Sequence, residues 1–260
     1  MPTIQGMSLV PIFLELLLED LRLATASAFI HRKNKKTFLV TARHNLTAQH
    51  PETGQNLHSS GARPDRLRAW LPKENIGEWI DRIWPLKWNE DRLWYGHAIK
   101  EDLIDVAVLP IEEDSETQIR TALSKETAPD LALHVGAEVF VLGYPAGLTA
   151  SKRFPIWKRG TIASEPELDV DDLPKLLIDT ATYSGMSGSA VYAASTGGYV
   201  SEKGHRVFTA GAGVLHSRFV GVYSSRLNAK EEASNQQINL ATQIGVVWKR
   251  SVIDEIIDGI

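Results

Sequence analysis

Cysteine is absent from the 260 residues, which excludes a disulfide scaffold, a cysteine nucleophile and any thiolate-held metal or iron–sulfur cluster. A chain of this length hides roughly 70 to 75% of its extended surface on folding, enough for a core that needs no staples. A charge excess of one sign is missing too. Lys and Arg number 28 against 32 Asp and Glu, a formal charge of −4, so no nucleic-acid partner is expected. Long hydrophobic runs are lacking as well. The longest, Ser8 to Leu18, carries Glu15, has no basic flank before it and falls short of the roughly 20 residues that a membrane span needs. No membrane span is therefore expected, and without a recognisable secretory leader the expected address is cytoplasmic. There is no His-Glu-x-x-His helix, no P-loop and no Gly-x-Gly-x-x-Gly after a strand, so neither a metal nor any other cofactor is expected.

What the sequence does contain is many short apolar runs. At roughly 150 residues per domain, the length allows one large domain or two small halves. Leu9 to Leu21 is apolar at most positions and ends in Glu19 and Asp20, which predicts a short N-terminal helix. Ser27 to Ile30 and Thr37 to Thr41, split by a turn-like basic segment, read as a hairpin. From about His50 to Glu101 the pattern is irregular, with four prolines and five of the seven tryptophans. Strands and long loops are expected there, the tryptophans plugging a barrel end.

Strand character returns at Ile104 to Leu109 and Glu138 to Gly143. The polar stretch Glu112 to Asp130 between them suggests a boundary, dividing the chain into 1–125 and 126–260. Further strands are expected at Lys175 to Asp179, Ser189 to Ala193, Val207 to Val214, Phe219 to Ser224 and Gly245 to Trp248. Val252, Ile253, Ile256, Ile257 and Ile260 recur at helical spacing and predict a C-terminal helix. The class is all-β, made of barrels or a sandwich.

Three segments put a reactive side chain beside a strand and among small residues. In Val40-Thr41-Ala42-Arg43-His44 a histidine follows a buried strand. In Asp105-Val106-Ala107-Val108-Leu109 a carboxylate opens an apolar one, and a buried carboxylate requires a partner. In Gly185-Met186-Ser187-Gly188-Ser189-Ala190 a serine sits in a glycine turn. A serine hydroxyl needs a base within hydrogen-bond reach to act as a nucleophile, and flanking glycines let backbone amides face a developing oxyanion. The order His, Asp, Ser separates these segments from the Ser, Asp, His order of the α/β-hydrolase elbow, whose G-x-S-x-G is also broken by Ser189.

The blocks TARH around His44, DVAVL around Asp105 and SGMSGSAV around Ser187 resemble the three signature blocks of trypsin-like (chymotrypsin-fold) serine peptidases, especially bacterial members without disulfides. The similarity runs from about Thr25 to Trp248. It implies two antiparallel six-stranded β-barrels flanked by the short N- and C-terminal helices, with His and Asp from the first barrel and Ser from the second. By the resemblance, Ser187 is the nucleophile, His44 the general base, and Asp105 the group that holds the imidazole, with Asp102 a competitor for that role. The Gly185 and Ser187 amides form the oxyanion hole, and Ser224 bonds the catalytic carboxylate.

The departures matter as well. Met186 stands where the digestive enzymes have an Asp that receives a new N-terminus, so activation by that salt bridge is unavailable. The expected site is either constitutively formed or switched by an activating partner protein. The primary pocket is expected near Ala181 and Thr182 with no acidic residue to greet Arg or Lys, while Arg226 admits an acidic or polar side chain. The function that follows is a serine endopeptidase acting on a protein or peptide substrate, dedicated rather than general. A catalytically silent scaffold of the same fold and a triad esterase are the alternatives.

Overall fold

The structure is a computed structural model that describes residues 4–208, 213–233 and 236–260, with the side chains of 228–242 left aside. A single 3-10 turn, Gly6–Leu9, leads into β1 (Ile12–Leu18), β2 (Leu21–Lys33) and β3 (Lys36–Thr41), followed by the short helix α1 (Arg43–Thr47). Strands β4 (Arg66–Pro72) and β5 (Trp79–Pro85), the small ribbon β6 (Lys87–Trp88) and β7 (Asp91–Arg92), and β8 (Ala107–Ile111) complete the first half. These form a six-stranded sheet in the order β5-β4-β1-β2-β3-β8. Strand β2 is long enough to pair with β1 through Leu21 to Ala28 and with β3 from Phe29 onward, so it bends the sheet into a curled half-barrel. Asn34 and Lys35 both have positive φ, the conformation whose twist suits a two-residue hairpin turn between β2 and β3.

The second half is a closed barrel in the order β10-β11-β16-β15-β12-β9. Its strands are β9 (Glu138–Gly143), β10 (Ile156–Ile162), β11 (Lys175–Asp179), β12 (Ala190–Thr196), β15 (Leu215–Ala233) and β16 (Gln236–Lys249), with β13 (Gly198–Val200) and β14 (Arg206–Phe208) forming a separate ribbon. Helix α2 (Arg250–Asp258) closes the chain and buries Val252, Ile253, Ile256 and Ile257. Burial of such side chains stabilises by up to about 1.5–3 kcal/mol each. Those four join Phe29, Phe38 and Val108 from the first sheet, Val106 just before β8, and Tyr192, Phe219 and Trp248 from the barrel in one hydrophobic cluster.

The all-β double-barrel architecture and the C-terminal helix are as expected, and β9 and β11 have the expected bounds. The N-terminal helix is a correction. Ile12–Leu18 is strand β1, paired with β2 on one side and β4 on the other. It is buried at five of seven positions, on both faces, and such a strand shows an unbroken apolar run that periodicity cannot tell from a buried helix. The run expected at Val207 to Val214 is divided: Val207 and Phe208 belong to β14, residues 209–212 lie outside the described residues, and β15 begins at Leu215. Among the described residues no helix is long and apolar enough to cross a membrane.

Candidate active site

Strand β3 ends at Thr41 and the chain turns directly into α1, which carries His44 in its first turn. Strand β8 pairs with β3 through Thr41 and Ala107. That register brings Asp105, two residues before β8, up to α1. His44 Nδ1 lies 2.6 Å from Asp105 Oδ2, and the His44 amide donates to Oδ1 at 2.8 Å. A proton held on Nδ1 by the carboxylate leaves Nε2 as the acceptor nitrogen. Ser224 Oγ, on β15, donates to Asp105 Oδ2 at 2.5 Å. Burial by itself would push the Asp105 carboxyl up; the neighbouring His44 charge and ring N–H, the Ser224 hydroxyl and the His44 amide outweigh it and hold the carboxyl below its ordinary value. Asp102 is exposed and takes no part in this arrangement.

Ser187 belongs to the loop between β11 and β12 and lines the same two cavities as His44. The loop is held by its carbonyls. The Ser184 carbonyl accepts from the Ala146 amide at 2.6 Å, and the Met186 carbonyl from the Ser189 amide at 3.0 Å. A trans peptide points its C=O and its N–H in opposite directions, so fixing those two carbonyls turns the Gly185 and Ser187 amides the other way. Among the described residues neither amide donates to any group of the chain. Two free, similarly presented N–H groups beside a serine can bind a developing oxyanion.

Glycine is required twice in this loop. Gly185 has φ +90°, and a Cβ there would lie 2.5 Å from the Tyr144 carbonyl oxygen; Gly188 has φ +87°, and its Cβ would lie 2.1 Å from the Ser27 carbonyl oxygen. Both conformations are ones that L side chains rarely adopt.

Several residues that sequence reasoning did not single out hold this loop. Ser27 is fully buried. Its Oγ donates to the Gly185 carbonyl at 2.8 Å and accepts from the Tyr144 amide at 3.1 Å, and its amide donates to the Ser187 carbonyl at 3.1 Å. Asn45, next to His44, donates from Nδ2 to the Ser187 carbonyl at 3.0 Å and to Thr41 Oγ1 at 2.9 Å. A polar residue inside the apolar run SAFI is the one signal that could have flagged Ser27, because buried hydroxyls need partners.

The tryptophan-rich segment reaches the same loop indirectly. Trp79 Nε1 donates to the Lys152 carbonyl at 2.5 Å, its ring meets Phe154 edge-on at 5.9 Å, and the Arg153 guanidinium stacks 3.6 Å over Trp70. These contacts tie the first sheet to the β9–β10 connection, which also carries Ala146.

Of the residues expected to form the substrate pocket, Arg226 is exposed and lines a cavity beside Ser187. Ala181 and Thr182 line neither cavity. Thr182 is buried with its hydroxyl bonded to that of Tyr223, and Ser224 is buried against Asp105. Met186 is buried in the core of the barrel. Among the described residues no three His, Asp or Glu side chains gather as metal ligands would.

The serine endoprotease from Yersinia pestis has a similar fold, with a TM-score of 0.50 at 15% identity over 100% of this chain and 67% of that one. An inactive-form Ser-to-Ala mutant of an M. tuberculosis protein aligns at 0.49 and 13% identity, over 97% of this chain and 87% of that one. No curated protein matches the sequence. The model of the trypsin-like peptidase domain family matches residues 26–201, more than half of the chain, and the protein belongs to that family as a trypsin-like serine protease.

Proposed function

We propose that the chain is a serine endopeptidase that works through an acyl-enzyme on Ser187. The observation that carries this reading is the hydrogen-bonded series Ser224, Asp105, His44, with His44 and Ser187 lining the same cavities. His44 Nε2 takes the Ser187 proton as Oγ attacks the carbonyl carbon, and the Gly185 and Ser187 amides receive the oxyanion. The C–N bond then breaks as the amine takes that proton from His44. Water, deprotonated by His44, attacks the ester and releases the acid with Ser187 restored. Asp105 fixes the imidazole tautomer and offsets its charge when protonated.

The pinned carbonyls support a site that is formed without a new N-terminus, since Met186 offers nothing for such a terminus to pair with. An activating partner is accordingly not needed for the oxyanion geometry. The test is labelling of the purified protein with a fluorophosphonate, with Ser187→Ala and His44→Ala beside it, followed by turnover of peptide and ester substrates. Labelling is expected in the wild type and lost in both variants, with peptide bonds cleaved. Absent labelling in the wild type overturns the proposal, and ester turnover without any peptide cleavage makes the protein an esterase.

A further inference from the structure

Two cavities meet at Ser187 and differ in chemistry. The first, of about 240 Å³, is lined by Tyr183, Ser184, Tyr223, Ser225, Arg226 and His50 in addition to the catalytic pair, with no Asp or Glu. Arg226 has no ion-pair partner among the described residues. Lys158 adds a second cation nearby, its Nζ 5.5 Å from the centre of the Tyr183 ring. One wall of this cavity is Tyr223, which is 2% exposed, bonded through its hydroxyl to Thr182, and packed so closely on Gly245 that a Cβ there would lie 2.7 Å from the ring. A Lys or Arg side chain entering here would meet like charge and a closely packed aromatic wall. A carboxylate would meet an unpaired guanidinium able to bind it through two N–H groups.

The second cavity, of about 320 Å³, is bounded by Leu16, Leu23, Ala24, Ala48, Leu57 and Pro64. Leu57 lines both cavities and is 52% exposed, although the loop holding it is tied back by its amide to the Ala48 carbonyl at 2.8 Å. Besides His44, which lines both cavities, this one takes Asn45 and Ala48 from α1 and its end, whereas the Arg226 cavity takes Tyr223, Ser225 and Arg226 from β15 of the barrel.

Building on the peptidase reading, we infer that the Arg226 cavity takes the acyl side of the substrate and the cavity around α1 the amine side, so that the site selects a bond with an acidic residue before it and a large apolar residue after it. Arg226 sets the first preference, and the Leu16, Leu23 and Leu57 wall sets the second. The test is binding of fluorescent octapeptides with Glu-Leu, Lys-Leu or Glu-Asp at the centre to the full-length Ser187→Ala protein, so that recognition is read without turnover. Glu-Leu is expected to bind about tenfold or more tightly than either of the others. Arg226→Glu should invert the Glu against Lys order, and the milder Arg226→Gln should level it. Leu57→Asp should erase the advantage of Glu-Leu over Glu-Asp.

Equal binding of the three peptides, tighter binding of Lys-Leu, no binding of any, or an order untouched by both Arg226 variants overturns the inference. Fluorophosphonate labelling of the wild type separates the two readings. Labelling without peptide discrimination sinks this inference alone, and discrimination without labelling sinks the catalytic reading alone.

Discussion

The two halves of the molecule solve different problems. The barrel closes on itself through six strands, leaving its ring without a free edge, whereas the first sheet runs from β5 to β8 and stays open. The open half supplies the groups that need rigid placement at strand ends: His44 just after β3 and Asp105 just before β8. The closed half supplies Ser187, the proposed nucleophile, on a loop of ten residues between β11 and β12. That loop does not set its shape alone. Ser27 and Asn45, both from the open half, hold the Gly185 and Ser187 carbonyls, so the loop is anchored across the junction between halves, while the peptides of the proposed oxyanion amides are held from within the closed half by Ala146 and Ser189. A single hydrophobic cluster containing side chains from both halves and from α2 backs the same junction.

The sharpest way to break this division is to disable the open half's electrostatics while leaving its backbone alone. Asp105→Asn keeps the shape but presents an amide to His44 Nδ1, favouring the tautomer with its proton on Nε2. Peptide hydrolysis is expected to fall about 10⁴-fold, with fluorophosphonate labelling slowed in step. A fall of less than tenfold would show that the carboxylate is structural only.

A smaller effect is expected from the bond that crosses between halves. Ser27→Ala removes the hydroxyl that bonds the Gly185 carbonyl and leaves the Gly185–Met186 peptide, which lies between the two proposed oxyanion peptides, held only through its amide to the Tyr183 carbonyl. A loss of about tenfold in kcat is expected, less than for deleting an oxyanion donor outright, with KM little changed and affinity for a peptide aldehyde, which binds as a tetrahedral oxyanion, falling by the same factor. The kcat and aldehyde measurements separate positioning from general destabilisation. If KM rises while aldehyde affinity relative to substrate is unchanged, Ser27 serves only the fold.

This contrast also explains how much of the protein could be read from its sequence. That His44, Asp105 and Ser187 come to one place was legible because each sits in a short block whose neighbours (the apolar strand, the small residues, the glycines) suit the proposed chemistry locally. Ser224 was legible by its place in Gly221-Val222-Tyr223-Ser224. Ser27, Asn45 and Ala146 were not, because what they do depends on partners 158, 142 and 38 residues away, and nothing local encodes those meetings. Strand β1 was misread because a strand buried on both faces loses the alternation that would identify it. Thr182 was placed in the substrate pocket because sequence position alone does not show that Tyr223 covers it.

The tryptophan contacts sharpen the comparison from the other direction, since here the open half steadies the closed one at a distance from the chemistry. Trp79→Ala removes the hydrogen bond to the Lys152 carbonyl and the edge contact with Phe154. The β9–β10 connection that carries Ala146 should loosen. Hydrogen exchange is expected to rise in residues 145–155, and kcat to fall several-fold, less than for Ser27→Ala. Unchanged exchange there would mean that Tyr144 and Phe13, whose rings meet edge-on at 5.1 Å, and Arg153 over Trp70 anchor the connection without Trp79.

The smallest expected effect compares two histidines of the same half. His44 has both a carboxylate bond and access to a cavity. His31 on β2 is almost fully buried, its Nε2 3.4 Å from Asp254 Oδ1 on α2 and its Nδ1 without a partner among the described residues. Burial pushes the His31 imidazole below its ordinary 6.5, against the pull of Asp254 and with the push of Arg250 and Lys33. A histidine lowered in the folded state binds fewer protons there than in the unfolded chain, so stability falls as pH drops below about 6.5 and levels off below the folded value. The urea midpoint of the wild type is therefore expected to decrease between pH 7.5 and 5.5. His31→Gln, which retains a donor for Asp254 but cannot titrate, should decrease less over the same interval. Equal slopes for the two proteins would assign the acid sensitivity elsewhere and leave His31 a passive part of the contact between β2 and α2.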